Sequence, residues 1–172
     1  MFKRSTKKIP AVTKVDLKKY LGTWYEIARF PHSFEKGLSH VTATYKLRKD
    51  GKIEVLNAGY KDGKKKTAKG VAWIPDSTSP GNLLVSFFWL IRSPYKIIRL
   101  DEKKYKYAVV TSGTMDYLWI LSREPKMSSE LYQELLAFAA EQGFDTRNIQ
   151  QVQQSRVNNV KLGIGRLLKR GR

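Results

Sequence analysis

The chain has 172 residues, the length of a single domain, and its 12% aromatic and 41% hydrophobic content excludes a disordered chain. It contains no cysteine, which excludes disulfides, thiolate metal sites, cysteine nucleophiles and lipid anchors on cysteine for the sequence as written. Its net charge of +18 favours a polyanionic partner, either nucleic acid or an anionic membrane surface.

The excess positive charge lies mainly at the two ends of the chain. Residues 1–19 hold seven basic residues and one acidic residue, and residues 156–172 hold six basic residues and no acid. Each end therefore carries +6, and the long middle part carries the remaining +6. We predict a basic N-terminal extension at residues 1–14, a globular domain at residues 15–154 and a basic C-terminal tail at residues 155–172.

The first residues are basic but lack the apolar stretch of about 7–15 residues that a secretory signal contains. The longest apolar run, residues 87–91, is far shorter than the ~20 residues that span a bilayer. We therefore expect a cytoplasmic or peripheral membrane location for the chain as written.

Predicted β-strands follow one another from about residue 23 to residue 123. Apolar and polar residues alternate along residues 41–47, as they do in a half-buried strand. Asp50-Gly51 and Asp62-Gly63 are typical hairpin turns. The eight predicted strands are residues 24–30, 41–47, 53–57, 66–74, 83–89, 95–100, 105–111 and 117–122.

Eight short strands with hairpin spacing predict an all-β fold, either an antiparallel sandwich or a closed barrel. An eight-stranded barrel is just wide enough to be filled by side chains or to hold one small ligand. Several small residues are expected on the inward face, and they would either leave space open or accommodate large neighbours across the barrel. They are Ala28, Ala43, Ala68, Gly70 and Ala72.

One amphipathic helix is predicted after the strands. Ser128 is a typical N-cap, and Gly143 fits the C-terminal end. The apolar stripe of this helix would pack on the outside of the barrel. It consists of Leu131, Leu135, Leu136, Phe138 and Ala139.

Two segments carry a family resemblance. Residues 22–30, GTWYEIARF, resemble the G-x-W signature on the opening strand of the lipocalins, and residues 115–123, MDYLWILSR, resemble two later signatures of that family. With residues 41–45 and 83–88, the resemblance extends over residues 15–154. It is closest to the bacterial lipocalins, of the outer-membrane lipoprotein type, and to apolipoprotein D.

The resemblance implies an eight-stranded antiparallel up-and-down barrel with one C-terminal helix packed outside. It assigns structural roles to Gly22, Trp24, Asp116, Tyr117 and Arg123. The tryptophan would close one end of the barrel, and the arginine would lie across its indole face in a cation–π contact worth ~0.5–2 kcal/mol.

The resemblance also implies a function, namely the binding, storage or transport of a hydrophobic small molecule in the barrel cavity. A fatty acid or a lysophospholipid is the expected ligand, with membrane maintenance as the expected purpose. No catalysis, cofactor or metal is expected. Dimers occur among the bacterial members, which makes a homodimer a candidate assembly for this chain. The bacterial members are typically held at the outer membrane by a lipidated cysteine after a signal peptide. This chain shows neither feature, so an outer-membrane or periplasmic location would require a truncated start.

The cavity lining follows from strand parity, with the reservation that a register error of one residue inverts a whole strand. If Trp24 faces inward, so do Glu26 and Phe30, while Tyr117 and Leu121 share the side of Trp119. The predicted lining residues are Ala28, Ala43, Tyr45, Val55, Asn57, Ala72, Val85, Phe87, Tyr95, Ile97, Tyr107 and Trp119.

Two arginines are candidates for binding a polar head group. Arg92 would lie in a loop near the mouth and could pair with a carboxylate or phosphate, or it could be a solvated cation. Arg99 would bind a head group if its side chain faced inward and would be an ordinary surface residue if it faced outward.

Three alternative hypotheses follow from the residues. His32 and His40 are the two histidines, and no metal-binding or Ser-His-Asp spacing surrounds them, which argues against an enzyme. A basic nucleic-acid-binding protein without a ligand pocket would use the charged ends, although no recognised module is present. The C-terminal tail has an apolar stripe among its cations and would either lie on an anionic bilayer or stay disordered, since Gly163 and Gly165 weaken a helix.

Overall fold

The computed structural model describes residues 4–88 and 91–154 of the chain. Trp89, Leu90 and the basic tail at residues 155–172, with its apolar stripe, lie outside the described residues. The elements are α1 (Leu17–Tyr20), β1 (Gly22–Arg29), β2 (Ser39–Leu47), β3 (Ile53–Lys61), β4 (Lys64–Trp73), β5 (Asn82–Phe88), β6 (Ile91–Leu100), β7 (Tyr107–Thr111), β8 (Leu118–Ser122), α2 (Ser129–Glu141), a short 3-10 turn (Thr146–Asn148) and β9 (Gln150–Gln151).

The strands form a closed antiparallel barrel. Each strand from β1 to β8 pairs with the next one along the chain, and β8 returns to pair with β1. The first half of β1 pairs with β2, whereas Ala28 and Arg29 near its end pair with the short strand β9. The predicted eight-stranded barrel is therefore confirmed, with one additional strand that covers the free edge of β1.

Two separate apolar cores lie on the two sides of the barrel wall. Inside the barrel, Ala108 and Val110 of β7 belong to the core around Trp24. On the outside, Val109 of the same strand packs in the core that includes Leu135 of α2. The Ser128 side chain accepts a hydrogen bond from the Leu131 N–H at 3.2 Å, so the helix begins at its predicted N-cap and covers one side of the barrel.

The N-terminal segment lies against the barrel wall. The Thr6 hydroxyl donates a hydrogen bond to the Ser112 carbonyl, and the Lys96 ammonium donates to the carbonyls of Thr6 and Ile9 at 2.8 and 3.0 Å. Thr6 and Ile9 are both buried. Residues 4–14 of the predicted basic extension therefore pack on β6 and on the turn after β7.

One end of the barrel is closed by Trp24 and Arg123. The indole N–H of Trp24 donates to the Tyr20 carbonyl at 2.9 Å, and the guanidinium carbon of Arg123 lies 3.9 Å from the centre of the indole ring. Gly22 has a φ of +95°, and a β-carbon there would lie 3.3 Å from the guanidinium. The Arg123 guanidinium also donates to the backbone carbonyls of Lys19, Tyr20, Thr23 and Tyr105.

We expect Arg123→Lys to lower the free energy of unfolding by about 1–3 kcal/mol, as measured by urea denaturation. A lysine ammonium cannot reach four carbonyls on separate segments and lie flat on an indole at the same time. Arg99→Lys is the matched control, because Arg99 forms an ion pair with Glu134 at 2.9 Å on the exposed surface, and it should cost at most ~1 kcal/mol. Equal losses in the two variants would contradict the structural role of Arg123.

Candidate ligand-binding cavity

A cavity of about 230 Å³ lies inside the barrel, above the closed end. Its walls are mainly apolar. The structure places nine of the twelve predicted lining residues around it, together with Tyr117 and Leu121 on β8. The nine are Ala43, Tyr45, Val55, Asn57, Ala72, Val85, Phe87, Tyr95 and Trp119.

A bulge in β1 places Ala28 on the opposite side of the wall from the predicted one. Glu26 opposes Leu121 of β8, but the next partner pair is Ala28 with Ile120, so one extra residue lies between them. Ala28 and Phe30 consequently pack in the outer core against α2. Arg29, which parity placed outside, opposes Trp119 and lies inside the barrel mouth.

Two further predicted lining residues lie elsewhere. Tyr107 packs against the outer core, because the inward residues of β7 are Ala108 and Val110, one position out of phase with the prediction. Ile97 does face inward, but it is fully buried in the packed core at the closed end and does not border the cavity.

Neither predicted head-group arginine reaches the cavity. A bulge in β6 between Ile97 and Arg99 turns Arg99 outward, where it lies over the Phe138 ring of α2 at 5.1 Å and pairs with Glu134. Arg92 lies on β6 and is exposed, with its guanidinium carbon 5.6 Å from the ring centre of Trp73 on the outer surface. Of the two alternatives that the sequence left open for each arginine, the structure agrees with the surface residue, since both side chains lie on the outside of the barrel.

Three tyrosine hydroxyls meet at the floor of the cavity. The Tyr95 hydroxyl lies 2.7 Å from that of Tyr20 and 3.0 Å from that of Tyr45. Burial raises the pKa of Tyr45 to about 12 and raises the pKa of the other two well above their usual range, so all three stay neutral. The three hydroxyls share two hydrogen bonds, so one of the three O–H groups is not used as a donor within the cluster.

An ionic network lies higher up, where β1 approaches the mouth. Arg29 donates to the Glu26 carboxylate at 2.5 Å and to the backbone carbonyls of Glu35 and Leu38 at 2.7 and 3.1 Å. The Trp119 indole N–H donates to the Glu35 carboxylate at 3.2 Å. The side chains of Arg29, Glu26 and Glu35 are all more than nine-tenths buried, so a single guanidinium faces two carboxyl groups in a dry setting.

Burial and the proximity of Glu35 raise the pKa of Glu26 to about 8, because they outweigh the attraction of Arg29. Near neutral pH the Glu26 carboxyl therefore holds a proton. Arg29 still donates to this carboxyl group and to the backbone carbonyls of Glu35 and Leu38, so the inner mouth is lined by polar groups that contact one another.

Two buried polar side chains beside the cavity lack hydrogen-bond partners among the described residues. They are the imidazole of His32 and the amide oxygen of Asn57. The Nε2 atom of His32 lies 2.7 Å from the Glu35 carboxylate without hydrogen-bond geometry, and the ring packs against Phe34 with 3.8 Å between centres and a tilt of 37°. The amide oxygen of Asn57 is an acceptor in the cavity wall that a ligand hydroxyl or amide can satisfy.

The mouth opens into a second, wider cavity of about 620 Å³. Phe34, Asn57 and Phe87 line both spaces, so the two cavities are adjacent. Lys66 and Lys69 of β4 border only the outer one. These two lysines, rather than Arg92 and Arg99, are therefore the cations that border a cavity near the mouth.

The sequence analysis missed the residues of the loop between β1 and β2. Phe34 and Glu35 line both cavities, and His32 packs between Phe34 and Trp119. Strand parity assigns no direction to loop residues, which is why they were not predicted. The one available signal is the aromatic and acidic pair Phe34-Glu35, which three residues separate from the end of the predicted first strand at Phe30.

The two later signature residues lie at the open end. Tyr117 stacks on Trp119 with 5.9 Å between ring centres, and Asp116 is exposed in the turn before β8. In residues 4–88 and 91–154, no helix has the length and apolar character needed to cross a bilayer.

Comparison with known proteins gives concordant results. Residues 15–154 match a family model described as a lipocalin-like domain. The chain is 47% identical over 148 residues to the outer membrane lipoprotein Blc of Escherichia coli strain K12, which covers 85% of this chain and 83% of that protein. It is 40% identical over 130 residues to apolipoprotein D of Bos taurus, with 70% and 67% covered. These matches confirm the resemblance that the sequence motifs indicated.

Among solved structures, insecticyanin from the tobacco hornworm Manduca sexta superimposes with a TM-score of 0.72 over 90% of this chain and 89% of that chain. The sequence identity is 21%, so this likeness shows the shared fold alone.

We expect the stability difference between the wild type and Glu26→Gln to change with pH. The folded protein holds a proton on Glu26 that the unfolded chain releases above the ordinary pKa of 4.5, so the stabilising contribution is complete below that pH and is lost as the pH rises to about 8. The glutamine variant cannot ionise and should gain about 2–4 kcal/mol relative to the wild type across this range.

Urea unfolding at about pH 5 and about pH 8 measures this difference. Glu134→Gln is the matched control, because its carboxylate lies on the exposed face of α2, and its stability should follow that of the wild type. Parallel pH profiles for the wild type and Glu26→Gln would show that Glu26 is ionised in the folded protein.

Proposed function

The chain belongs to the lipocalin family, whose members bind hydrophobic small molecules, and we propose that it holds a lipid with a single acyl chain, a fatty acid or a lysophospholipid. The observation that carries this proposal is a mainly apolar cavity inside the barrel, with three tyrosine hydroxyls at its floor and an ionic network at its mouth. Binding needs no chemical step, and burial of each methylene contributes ~0.8 kcal/mol.

The dimensions of the cavity favour one acyl chain. The enclosed part, at about 230 Å³, is smaller than the ~300–1,000 Å³ of most small-molecule sites. The additional space lies in the outer cavity, which is bordered by Lys66 and Lys69 as well as by apolar side chains. We call this outer cavity the vestibule. A narrow apolar cavity below a wider, partly basic vestibule fits a lipid whose acyl chain enters first.

The charges around the vestibule favour an anionic head group. Inside the mouth, the Arg29 guanidinium already donates to Glu26 and to the backbone carbonyls of Glu35 and Leu38. The ammonium groups of Lys66 and Lys69 then supply the excess charge beside the vestibule, where a carboxylate or phosphate can pair with them. At the floor, the tyrosine O–H that is not used within the cluster could donate to a ligand that binds the other way round, with its polar group at the floor.

We also propose that the protein acts at a membrane, because single-chain lipids reside there. The relatives from Escherichia coli, Citrobacter freundii and Vibrio cholerae carry the name outer membrane lipoprotein, which describes those proteins and supports the same setting for this one.

The direct test is native mass spectrometry of the purified protein after incubation with a mixture of palmitic acid, lysophosphatidylcholine, lysophosphatidylglycerol and diacyl phosphatidylcholine. We expect adducts of the single-chain lipids and none of the diacyl lipid. The absence of any lipid adduct, or a preference for the diacyl lipid, would contradict the proposal.

We expect Ala72→Phe to weaken the binding of a fluorescent fatty acid by more than tenfold. Ala72 lines the cavity between Ile53 and Val85, and a phenyl ring there takes the place of ligand methylenes. The displacement of two methylenes costs about 1.6 kcal/mol, which is more than a factor of ten in affinity.

Val71→Phe is the matched control, because Val71 is the neighbouring residue on β4 and does not border the cavity. It should bind the fluorescent fatty acid like the wild type, as measured by fluorescence titration. Equal affinities for both variants and the wild type would place the acyl chain outside the barrel.

A further inference from the structure

Three segments at the rim of the barrel mouth expose an apolar side chain to solvent. They are the β1–β2 loop with Phe34, the β3–β4 hairpin with Tyr60, and the start of β6 with Ile91. The exposed fractions are 67%, 42% and 62%. Three of the four large apolar residues that are strongly exposed in the described parts of the chain therefore surround the opening of the cavity.

Cations lie beside these apolar residues. The turn of the β3–β4 hairpin is followed by Lys64, Lys65 and Lys66, and it is preceded by Lys61, all of which are exposed. Asp62 is the one acidic residue of this turn. Lys36 and Arg92 add exposed cations to the other two rim segments.

The hairpin extends beyond the neighbouring strand. β4 pairs with β3 from Lys64 to Ala72, but it pairs with β5 only from Val71 to Trp73. Lys64 to Lys69 are consequently exposed, and the hairpin turn lies at the opposite end of β3 from Ile53, which packs in the core around Trp24. The lysines thus project from the open end of the barrel, next to the vestibule.

The closed end provides an internal comparison. It also carries exposed lysines, at positions 103, 104 and 106, and one exposed apolar residue, Leu47. At that end the Asp101 carboxylate accepts backbone hydrogen bonds from these three lysine residues, and neither they nor Leu47 border the two cavities described above. Charge alone therefore does not distinguish the two ends, whereas the combination of charge, exposed apolar side chains and the cavity opening does.

We infer that the mouth rim docks on an anionic lipid bilayer, with Phe34, Tyr60 and Ile91 in the interface and the hairpin lysines against the lipid phosphates. Basic charge next to exposed apolar residues is the combination that binds such a surface. The lysines could also bind the phosphates of a nucleic acid, but nucleic-acid binding does not explain why apolar side chains are exposed beside them. Docking in this orientation places the vestibule on the bilayer, so a lipid can pass between membrane and cavity without crossing water.

The experiment measures co-sedimentation of the full chain with phosphatidylcholine vesicles, with and without phosphatidylglycerol. The charge variant is Lys61→Gln/Lys64→Gln/Lys65→Gln, and its matched control is Lys103→Gln/Lys104→Gln/Lys106→Gln. At low salt we expect the rim variant to bind phosphatidylglycerol vesicles on the order of 100-fold more weakly, while the control stays close to the wild type.

The apolar part of the surface is tested by Ile91→Ser, with Leu47→Ser at the closed end as its matched control. The Ile91 variant should bind the phosphatidylglycerol vesicles about tenfold more weakly, and the Leu47 variant should be unaffected. Competition between a short RNA duplex and the phosphatidylglycerol vesicles tests whether the rim binds nucleic acid instead of lipid. Binding to RNA that needs the rim lysines but is insensitive to Ile91→Ser, without vesicle binding, would overturn the inference.

Docking and ligand binding are separated by titrating the lysine variants with a fluorescent fatty acid in the absence of vesicles. Lys61, Lys64 and Lys65 border neither cavity, so replacing them should leave the affinity for the fatty acid unchanged. An unchanged affinity also shows that the barrel of the variant is folded. Equal losses of vesicle binding in the rim and closed-end lysine variants, or no binding of the wild type, would overturn docking while leaving the proposed ligand in place.

Discussion

The closure of the sheet through β1 is the constraint on which the other features of this protein depend. β1 pairs with β2 along its first half, with β8 along most of its length and with β9 near its end. A closed sheet has an inside that solvent does not reach and an outside that needs its own cover. The inside becomes the cavity above Trp24, and the outside is covered by α2 and by the N-terminal segment.

The polar groups of the barrel interior are arranged so that the apolar walls stay intact. At the floor, three tyrosines share hydrogen bonds among themselves and remain neutral. At the mouth, one buried guanidinium faces two carboxyl groups, and the burial of Glu26 together with the proximity of Glu35 favours a proton on Glu26. A buried charge raises the free energy of the folded protein unless it is paired. The pairing of Arg29 with the two carboxyl groups limits this desolvation cost and still leaves polar groups at the mouth of the cavity.

The large positive charge has a different meaning in the structure than in the composition. The described part of the basic N-terminal segment packs on the barrel, where Lys96 donates to its carbonyls, so this segment contributes to the outer surface of the fold. The β3–β4 hairpin, which looked like an ordinary turn in the sequence, presents its lysines beside the opening of the cavity. The position of these lysines beside the mouth, rather than the net charge of +18, connects the positive charge with the proposed binding of lipid.

The sequence by itself determined the features that depend on neighbours along the chain. Strand alternation, the Asp62-Gly63 turn and the Ser128 cap are local patterns, and the structure contains all three. The signatures around Trp24 and Arg123 identified the closed end and the family. Nine of the twelve predicted lining residues border the cavity, because most strands keep their parity without interruption.

Only the tertiary structure decided the side-chain directions that follow a bulge or lie in a loop. One extra residue in β1 moved Ala28 outside and Arg29 inside, and one in β6 turned Arg99 toward α2. Glu35 and His32 belong to the site because the loop after β1 folds over the mouth. There both residues contact Trp119 of β8, which is distant from them in sequence. A bulge leaves no periodic trace in the residues themselves, since it depends on the pairing of two strands that the chain brings together only on folding.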